Sequence, residues 1–240
     1  MPYVERALRI QGWTLDVEKV QVEPDPPWDY MARAQELVVG AKIVLDMGTG
    51  GGERLSRICE DYRGFAVATE AWPPNVPVAA RQLSSRAISV VLASSLRLPF
   101  RDSAFDLILN RHEELEPDEV ARVLAPGGHL LTQQVGRNMW LELRGFFPRM
   151  TDFGPLFERY QAGFSCGGLR LAKAVSHDTP VAFRTLGDLV YNLAVAPWTI
   201  PEFDVQRDLD ALLAFERKHG GDRGIVLTES SFVIEAEKTA

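Results

Sequence analysis

Residues 43–52 read IVLDMGTGGG, an apolar run that ends in an acid and passes directly into a loop rich in glycine. A continuous apolar and β-branched run bounded by glycine is typical of a strand that is buried on both faces. The residues that follow, 53–62, place Leu55, Ile58 and Cys59 at helical spacing. The sequence therefore predicts a strand, a glycine loop and a helix, a unit that brings backbone N–H groups up to a ligand.

The residues around the loop narrow the choice of ligand. A phosphate-binding P-loop ends in Gly-Lys-Ser/Thr, whereas Glu53 and Arg54 follow the last glycine here. The dinucleotide pattern G-x-G-x-x-G requires a glycine at position 53, and Asp46 is poorly placed for a pyrophosphate. An acid two residues before the first glycine suits a ligand with a positive charge. A glycine turn that serves only strand-to-helix packing is the alternative.

A second apolar run, residues 65–70, also ends in an acid, Glu70. Its distance from Asp46 is close to the ~20 residues at which an α/β nucleotide-binding fold presents a carboxylate to a ribose. Trp72 follows, in a position to lie near an adenine face. Together, the two acids favour a cofactor that contains a nucleoside.

Composition excludes several classes of protein. The chain has 240 residues with 46% hydrophobic and 25% charged, which is ordinary for a globular protein, and a net charge of -7 gives no general support to nucleic-acid binding. Cys59 and Cys166 are too few for a disulfide framework or a metal site. There is no apolar run near the ~20 residues of a membrane span and no signal-peptide core. We expect a cytoplasmic protein without metal or membrane partner.

Strands alternate with helices along the first half of the chain, a rhythm that builds a parallel, doubly wound α/β sheet. The further predicted strands are residues 88–93, 104–109, 129–135, one within 169–183, and a last one from 225–236. The predicted helices are residues 29–39, 73–86, 119–124, 136–147, 151–162, 186–195 and 205–218, and the proline-rich stretch before residue 28 is expected to be extended.

Several stretches, in the correct order, resemble the type 11 family of class I methyltransferases, which use S-adenosylmethionine (SAM). The glycine loop resembles motif I, and LPFRDSAFDLI (98–108) and RVLAPGGHLL (122–131) resemble motifs II and III. With the acid-ended second strand, the resemblance covers residues 41–136. It implies a Rossmann-like sheet of seven mostly parallel strands with an antiparallel last strand and helices on both faces. The implied activity is transfer of the SAM methyl group to an O or N nucleophile, first of all on a small molecule.

In such a sheet, ligands bind at the carboxyl ends of the strands. The resemblance and this rim together give the expected cofactor-binding residues: Asp46, Gly48, Thr49, Gly50, Gly52, Glu70, Ala71, Trp72, Ser94, Ser95, Leu96, Asn110 and Arg111. At position 94 many relatives have an Asp that contacts the adenine amino group. Ser94 or a backbone carbonyl has to make that contact here.

On the acceptor side, His112 is the candidate general base because imidazole titrates near neutral pH, and pairing with Glu113 or Glu114 is its alternative role. The residues expected to line the acceptor opening are Trp28, Tyr30, Glu113, Gln133 and Trp198, with plain packing as the alternative for the aromatic ones. Gln133 and Gln134 point to opposite faces of a strand, so only one of them faces the site.

We expect one domain in five parts. These are an N-terminal lid (1–39), a SAM-binding core (40–136), helices and the sixth strand (137–184), a substrate-side insertion (185–222) and the last strand (223–240). The sequence leaves the oligomeric state open between monomer and homodimer.

Three other functions compete with a small-molecule methyltransferase. The runs ASSLRLPF, EVARVLAPGG and WLELRG are similar to bacterial ribosomal RNA guanine-N1 methyltransferases, whose zinc ribbon has no counterpart before Cys59. For such an RNA partner, segment 137–173 offers six basic residues against three acids, a modest patch. The second alternative is a SAM-binding regulator without transferase activity. The third, a nicotinamide oxidoreductase, is disfavoured by Asp46 and Glu53.

Overall fold

The computed structural model describes residues 2–10, 19–21 and 26–239, which form one mixed sheet flanked by helices. The strands are β1 (Lys19–Gln21), β2 (Ile43–Met47), β3 (Phe65–Glu70), β4 (Ser89–Leu92), β5 (Phe105–Arg111), β6 (Leu124–Val135), β7 (Leu169–Phe183), β8 (Gly220–Gly221) and β9 (Gly224–Lys238). The helices are α1 (Pro2–Ala7), α2 (Tyr30–Gly40), α3 (Glu53–Ile58), α4 (Val76–Leu83), α5 (Pro117–Val123), α6 (Leu156–Cys166), α7 (Leu186–Val195) and α8 (Leu209–His219), with 3-10 turns at Ser84–Arg86 and Leu141–Gly145.

The order of strands across the sheet is β1-β7-β9-β6-β5-β2-β3-β4, with β8 paired to β9. The five strands from β6 to β4 are parallel to their neighbours, whereas β9 runs antiparallel to both β6 and β7. This confirms the predicted α/β fold with its antiparallel last strand. Within the described residues, the short strands β1 and β8 extend the seven predicted strands at the margins.

Alternating residues of the central strands enter two separate cores, as a sheet with helices on both faces requires. Leu107 and Leu131 pack with Ala34 of α2, while their neighbours Ile108 and Leu130 pack with α5 and α6 on the opposite face. Because both faces are covered, the strands read as continuous apolar runs. The carboxyl ends of β2, β3 and β5 are left at one rim.

Helix α2 begins and ends as predicted. The Asp29 side chain accepts a hydrogen bond from the backbone N–H of Ala32 at 3.0 Å, which is a helix N-cap. Tyr30, Ala34 and Val38 are buried on one side of the helix, against the sheet. The helix therefore holds Tyr30 over the rim next to β2.

Of two helix predictions after β6, the first was wrong and the second was wrong in extent. Residues 136–147 form turns and a 3-10 helix, because Trp140 adopts a left-handed φ of 49° and its N–H donates to the carbonyl of Thr228 on β9 at 2.8 Å. The helix predicted from residue 151 begins at Leu156, since Gly154 has a φ of +69° and Pro155 follows it.

The helix predicted from residue 205 begins at Leu209. The carboxylate of Asp208 is held by Arg149 and by the N–H of Asp204, which keeps the preceding residues in a turn. Helix α1 was not predicted, and the predicted extended stretch before residue 28 lies mostly outside the described residues. Among the residues that are described, none of the helices combines the length and the apolarity needed to cross a bilayer.

Candidate functional site

The glycine loop after β2 uses glycine where the backbone demands it. Gly48, Gly50 and Gly52 have φ values of +69°, +63° and +84°, a region that L side chains rarely adopt. The N–H of Thr49 donates to the carbonyl of Thr69 at 2.9 Å, which ties the loop to the end of β3. The loop is thus a fixed turn at the rim.

Glu70 connects the loop to the tip of β3. One of its carboxylate oxygens accepts from the N–H of Gly50 and the other from the N–H of Trp72, both at 2.7 Å. Burial raises the pKa of Glu70, while these backbone donors and that of Ala71 lower it. The carboxylate is held in one orientation and keeps further lone pairs for a ligand.

Asp46 lies at the tip of β2 beneath Tyr30. Burial raises the pKa of Asp46 to about 7, with Thr49 and Arg54 opposing the shift and Glu70 adding to it. The buried hydroxyl oxygen of Tyr30 has no hydrogen-bond partner within the described parts of the chain. Its pKa is raised, first by burial and then by the charge of Asp46, so the two side chains are close enough to interact electrostatically.

Arg111 brings a positive charge to the same part of the rim. Its pKa is lowered to about 10, mainly by burial and also by the nearby charge of Arg54, while Tyr30 and Glu229 act in the opposite direction. The rim therefore presents negatively and positively charged side chains close together. A ligand with both an ammonium and a carboxylate group requires such an arrangement. Arg54 was not among the predicted site residues, although it lies only two residues after the last glycine of the loop.

Asn110 holds the loop that follows β5. Its side-chain amide donates to the carbonyls of Met47 at 3.4 Å and Glu113 at 3.2 Å, and its oxygen accepts from Thr132 at 2.8 Å. The amide of Gln134 also donates to the Glu113 carbonyl, at 2.9 Å. These buried bonds fix the position of residue 113.

The Glu113 side chain lies against the glycine loop. A Cβ added at Gly48 would overlap its Cβ and Cγ, so glycine is required for this contact. The pKa of Glu113 is raised to about 7, mainly by burial and also by the charges of Glu70 and Glu114, while a hydrogen bond with Ser95 acts in the opposite direction. The structure thus brings Glu113, predicted on the acceptor side, to the side of the cofactor loop.

The remaining residues predicted to bind the cofactor, near its adenine, follow the ends of β3 and β4. Trp72 and Leu96 are exposed, and the exposed Ser94 accepts from the N–H of Leu96 at 3.2 Å through its hydroxyl oxygen. Ser95 is buried beside Glu113. The Ser94 hydroxyl is therefore engaged in a local turn, and the contact with adenine is left to the backbone around it.

A second polar group lies on the α2 side of the rim. The indole N–H of Trp28 donates to Gln133 at 3.2 Å, and the Gln133 amide nitrogen lies 3.4 Å from Nε2 of His112. His177 of β7 completes the group, with its ring edge-on to Trp28 at a centroid distance of 6.4 Å. Gln134 faces the opposite core, as the alternation along a strand requires.

Two observations differ from expectation: His177 belongs to this second group, and Trp198 lies outside it. Nothing in the sequence near His177 indicated a site, because only the pairing of β7 with β9 brings it to the rim. Trp198 is half exposed in the segment that packs on the C-terminal helices, where its carbonyl accepts from the Thr151 hydroxyl at 2.6 Å. No group of His, Cys, Asp or Glu in the described parts of the chain has the arrangement of a metal site.

Comparison with known proteins agrees with this geometry. Residues 45–132 match the family described as "Methyltransferase domain". This segment is similar to a methyltransferase domain. It contains the glycine loop, both strand-tip acids and His112, whereas Trp28, Tyr30 and His177 come from outside it.

Relatives of the methyltransferase domain extend the comparison. A 23S rRNA (guanine(748)-N(1))-methyltransferase of Streptomyces fradiae is 37% identical over 89 residues, which is 37% of this chain and only 31% of that protein. A protein of unknown function from Deinococcus radiodurans R1 has a TM-score of 0.67 at 17% identity over 99% of both chains. A provisionally assigned methyltransferase from Bacillus halodurans C-125 has a TM-score of 0.66 at 15% identity, over 88% of this chain and 99% of its own. The solved structures establish the fold, which is that of class I methyltransferases.

Proposed function

We propose that the chain is a SAM-dependent methyltransferase. The observation that carries the proposal is the pair of carboxylates, the half-buried Asp46 and the buried Glu70, at adjacent strand tips on either side of a left-handed glycine loop. A buried carboxylate with a raised pKa is stabilised by a cationic ligand, and such groups concentrate at functional sites. Neither a phosphate nor a dinucleotide offers that charge at this position.

The polar groups of the rim fit the parts of SAM. Asp46 suits the ammonium group, Glu70 suits the ribose hydroxyls, and Arg111 with the unpartnered Tyr30 hydroxyl suits the carboxylate. The backbone around Ser94 is left for the adenine. When bound, SAM supplies a methyl group already activated on sulfur, so the protein has mainly to position the acceptor and exclude water.

The acceptor is best placed at the group formed by Trp28, Gln133, His112 and His177. Trp28 offers an aromatic face, and Gln133 offers an amide that holds the imidazole of His112. In this arrangement His112 takes the proton from an O–H or N–H nucleophile as the methyl group is transferred. The group is small and aromatic, which favours a small molecule with a flat or apolar body.

The basic residues of segment 137–173 give little support to an extended RNA surface. Five of the six arginines and lysines there are paired with acids: Arg137 and Arg144 with Asp152, Arg149 with Asp208, Arg159 with Glu114, and Arg170 with Glu237. Since these charges are compensated, few are left to neutralise phosphates. We therefore rank a small-molecule acceptor first.

Methylation of a ribosomal RNA base is the second candidate. It is favoured by the 37% identity to a 23S rRNA guanine-N1 methyltransferase, although the chain matches less than a third of that relative. A flipped guanine would suit Trp28 as a stacking partner and His112 as a proton acceptor. Both cysteines are unpaired in the structure, and a reducing, cytoplasmic location is in keeping with either acceptor.

Calorimetric titration with SAM tests the proposal. We expect the chain to bind SAM and not NAD or NADP, and Asp46→Asn to weaken SAM binding about 10- to 100-fold, since a charged hydrogen bond is lost. Asp61→Asn, at an exposed site outside the rim, is the matched control. Full SAM affinity in the Asp46 variant would refute the assignment of the site.

Transfer of label from methyl-labelled SAM then separates the acceptors. The purified protein is incubated with a small-molecule cell extract in one arm and with 23S rRNA fragments at several salt concentrations in the other. We expect label in the small-molecule fraction. Salt-sensitive labelling of RNA would make the second candidate correct, and tight SAM binding with no label in either arm would identify a regulator.

A further inference from the structure

We propose that Glu113 makes the cofactor crevice selective for the positively charged methyl donor over its neutral product, S-adenosylhomocysteine (SAH). The inference rests on the proposed function, because it concerns how the same crevice holds SAM. SAM and SAH differ only in the sulfonium methyl group. A protein group that distinguishes them must therefore respond to the charge or to the methyl at that sulfur.

Glu113 is built into the crevice rather than lying on its surface. Its side chain packs on Gly48, where a Cβ would displace it. Its carbonyl accepts from Asn110 at 3.2 Å and from Gln134 at 2.9 Å, and both amides belong to buried side chains of the sheet. The neighbouring Glu114, by contrast, is exposed and is paired with Arg159. Only Glu113 of these two acids faces the site.

Glu113 contacts the glycine loop, which follows Asp46 in the chain and donates to Glu70 through the N–H of Gly50. Asp46, at the tip of β2, marks the amino-acid end, and Glu70, at the tip of β3, marks the ribose. In the covalent structure of SAM the sulfur joins these two parts. Gly48 leads from β2 toward the loop that Glu70 holds, and Glu113 packs on it within electrostatic range of Glu70.

A separate observation shows that this crevice is made for a polar ligand. The hydroxyl of Tyr30 is buried, next to Asp46 and Arg111, with no hydrogen-bond partner in the described residues. A buried polar atom without a partner costs free energy that a bound ligand can recover. The three acids are therefore part of a binding crevice and not merely a cluster of like charges.

The charges around Glu113 explain why the crevice would prefer SAM to SAH. Its pKa is raised to about 7, first by burial and then by the charges of Glu70 on β3 and Glu114 on its own loop, against a hydrogen bond from Ser95. Asp46 on β2 is a further acid of the crevice, and Arg54 and Arg111 are the cations on its α2 side. A sulfonium between the acids relieves their repulsion, so its binding ionises Glu113. A neutral thioether gives no such relief.

The test is calorimetric titration of the full chain with SAM, SAH and sinefungin, a SAM analogue in which an amine replaces the sulfonium. We expect Glu113→Gln to weaken binding of SAM and sinefungin about tenfold or more while SAH affinity stays within about twofold. Glu114→Gln, one residue away, should bind all three ligands like the parent. Because SAH binding requires a folded crevice, it also shows that the variant is intact.

The pH dependence provides a second readout. The ratio of SAM to SAH affinity should rise from pH 6 to pH 8.5 in the parent and stay nearly flat in Glu113→Gln. Equal loss of SAM and SAH affinity, or an unchanged ratio, would overturn this inference and leave the proposed function standing. Failure of the parent to bind either nucleoside would overturn both.

Discussion

At the scale of single residues, the site consists of groups that ordinary packing rules disfavour. Asp46 and Glu113 are acids in a buried crevice, Arg111 is a cation whose pKa burial lowers to about 10, and Tyr30 keeps an unpartnered hydroxyl. Each of them costs stability in the free protein. Such local violations are expected where a protein is shaped for a ligand rather than for its own core.

His112 provides the prediction that concerns the chemistry. We expect His112→Ala to lower kcat by about 10²- to 10⁴-fold with any acceptor that the labelling experiment identifies, since general-base catalysis contributes a factor of that size. SAM affinity should stay near that of the parent, because His112 groups with Gln133 rather than with the glycine loop. The measurement is steady-state turnover together with SAM titration.

His129→Gln is the control for that experiment, because His129 lies on β6 four residues before Gln133, away from the rim. Unchanged turnover in the His112 variant would leave that residue without a catalytic role. The same variant series should include His177→Ala, which removes the edge-on partner of Trp28 and is expected to raise KM more than it lowers kcat.

At the scale of elements, close packing of helix α6 on α5 fixes the face of the sheet opposite α2. Gly163 of α6 faces the ring of Pro117, and a Cβ at Gly163 would stand 2.6 Å from Cγ of that proline. Tyr160 and Phe164, on either side of the glycine in sequence, are fully buried in the core below. The glycine therefore allows the two helices to approach while the large side chains fill the core.

Gly163→Ala should destabilise the protein by about 1–3 kcal/mol, because overpacking against a rigid ring outweighs the gain in helix propensity. Gly40→Ala, at the exposed end of α2 with nothing within 4 Å of the added Cβ, is the matched control. Urea denaturation of both variants gives the comparison. An equal free energy of unfolding for the two variants would mean that α5 and α6 can move apart to accept the added methyl group without loss of stability.

The elements also differ in how well the sequence predicted them. The central strands were located correctly because burial on both faces leaves a continuous apolar run that no other element of this length shows. Helix α2 was located correctly because its cap, Asp29, and its terminal glycine are local signals. The starts of α6 and α8 were missed, since contacts such as that of Arg149 with Asp208 join residues far apart in sequence.

For the molecule as a whole, the buried acids predict how stability depends on pH. Asp46 and Glu113 have pKa values of about 7 when folded, against ordinary values of 3.8 and 4.5. Between about pH 4.5 and 7 the unfolded chain has lost these protons while the folded chain still holds them. Stability therefore falls as pH rises through this window, by up to about 1.4 kcal/mol per pH unit for each group.

Thermal unfolding of the free protein from pH 5 to pH 7.5 measures this fall. The double variant Asp46→Asn/Glu113→Gln should show a flatter profile than the parent. Glu119, whose pKa is lowered by Arg122, acts in the opposite direction, but only at more acidic pH. A parent whose Tm is constant or increases across the window, with a double variant that follows it, would contradict the raised pKa values.

The sequence by itself determined the strand, glycine loop and helix, the two strand-tip acids and the parallel sheet around them. These depend on local signals: apolar runs, glycines required by φ, and acids next to them in the chain. Only the tertiary structure decided that Glu113 packs on Gly48 and that Trp28, Gln133, His112 and His177 meet at one rim. Those residues come from different strands and loops. They meet because the strands pair, and no short stretch of sequence encodes that pairing.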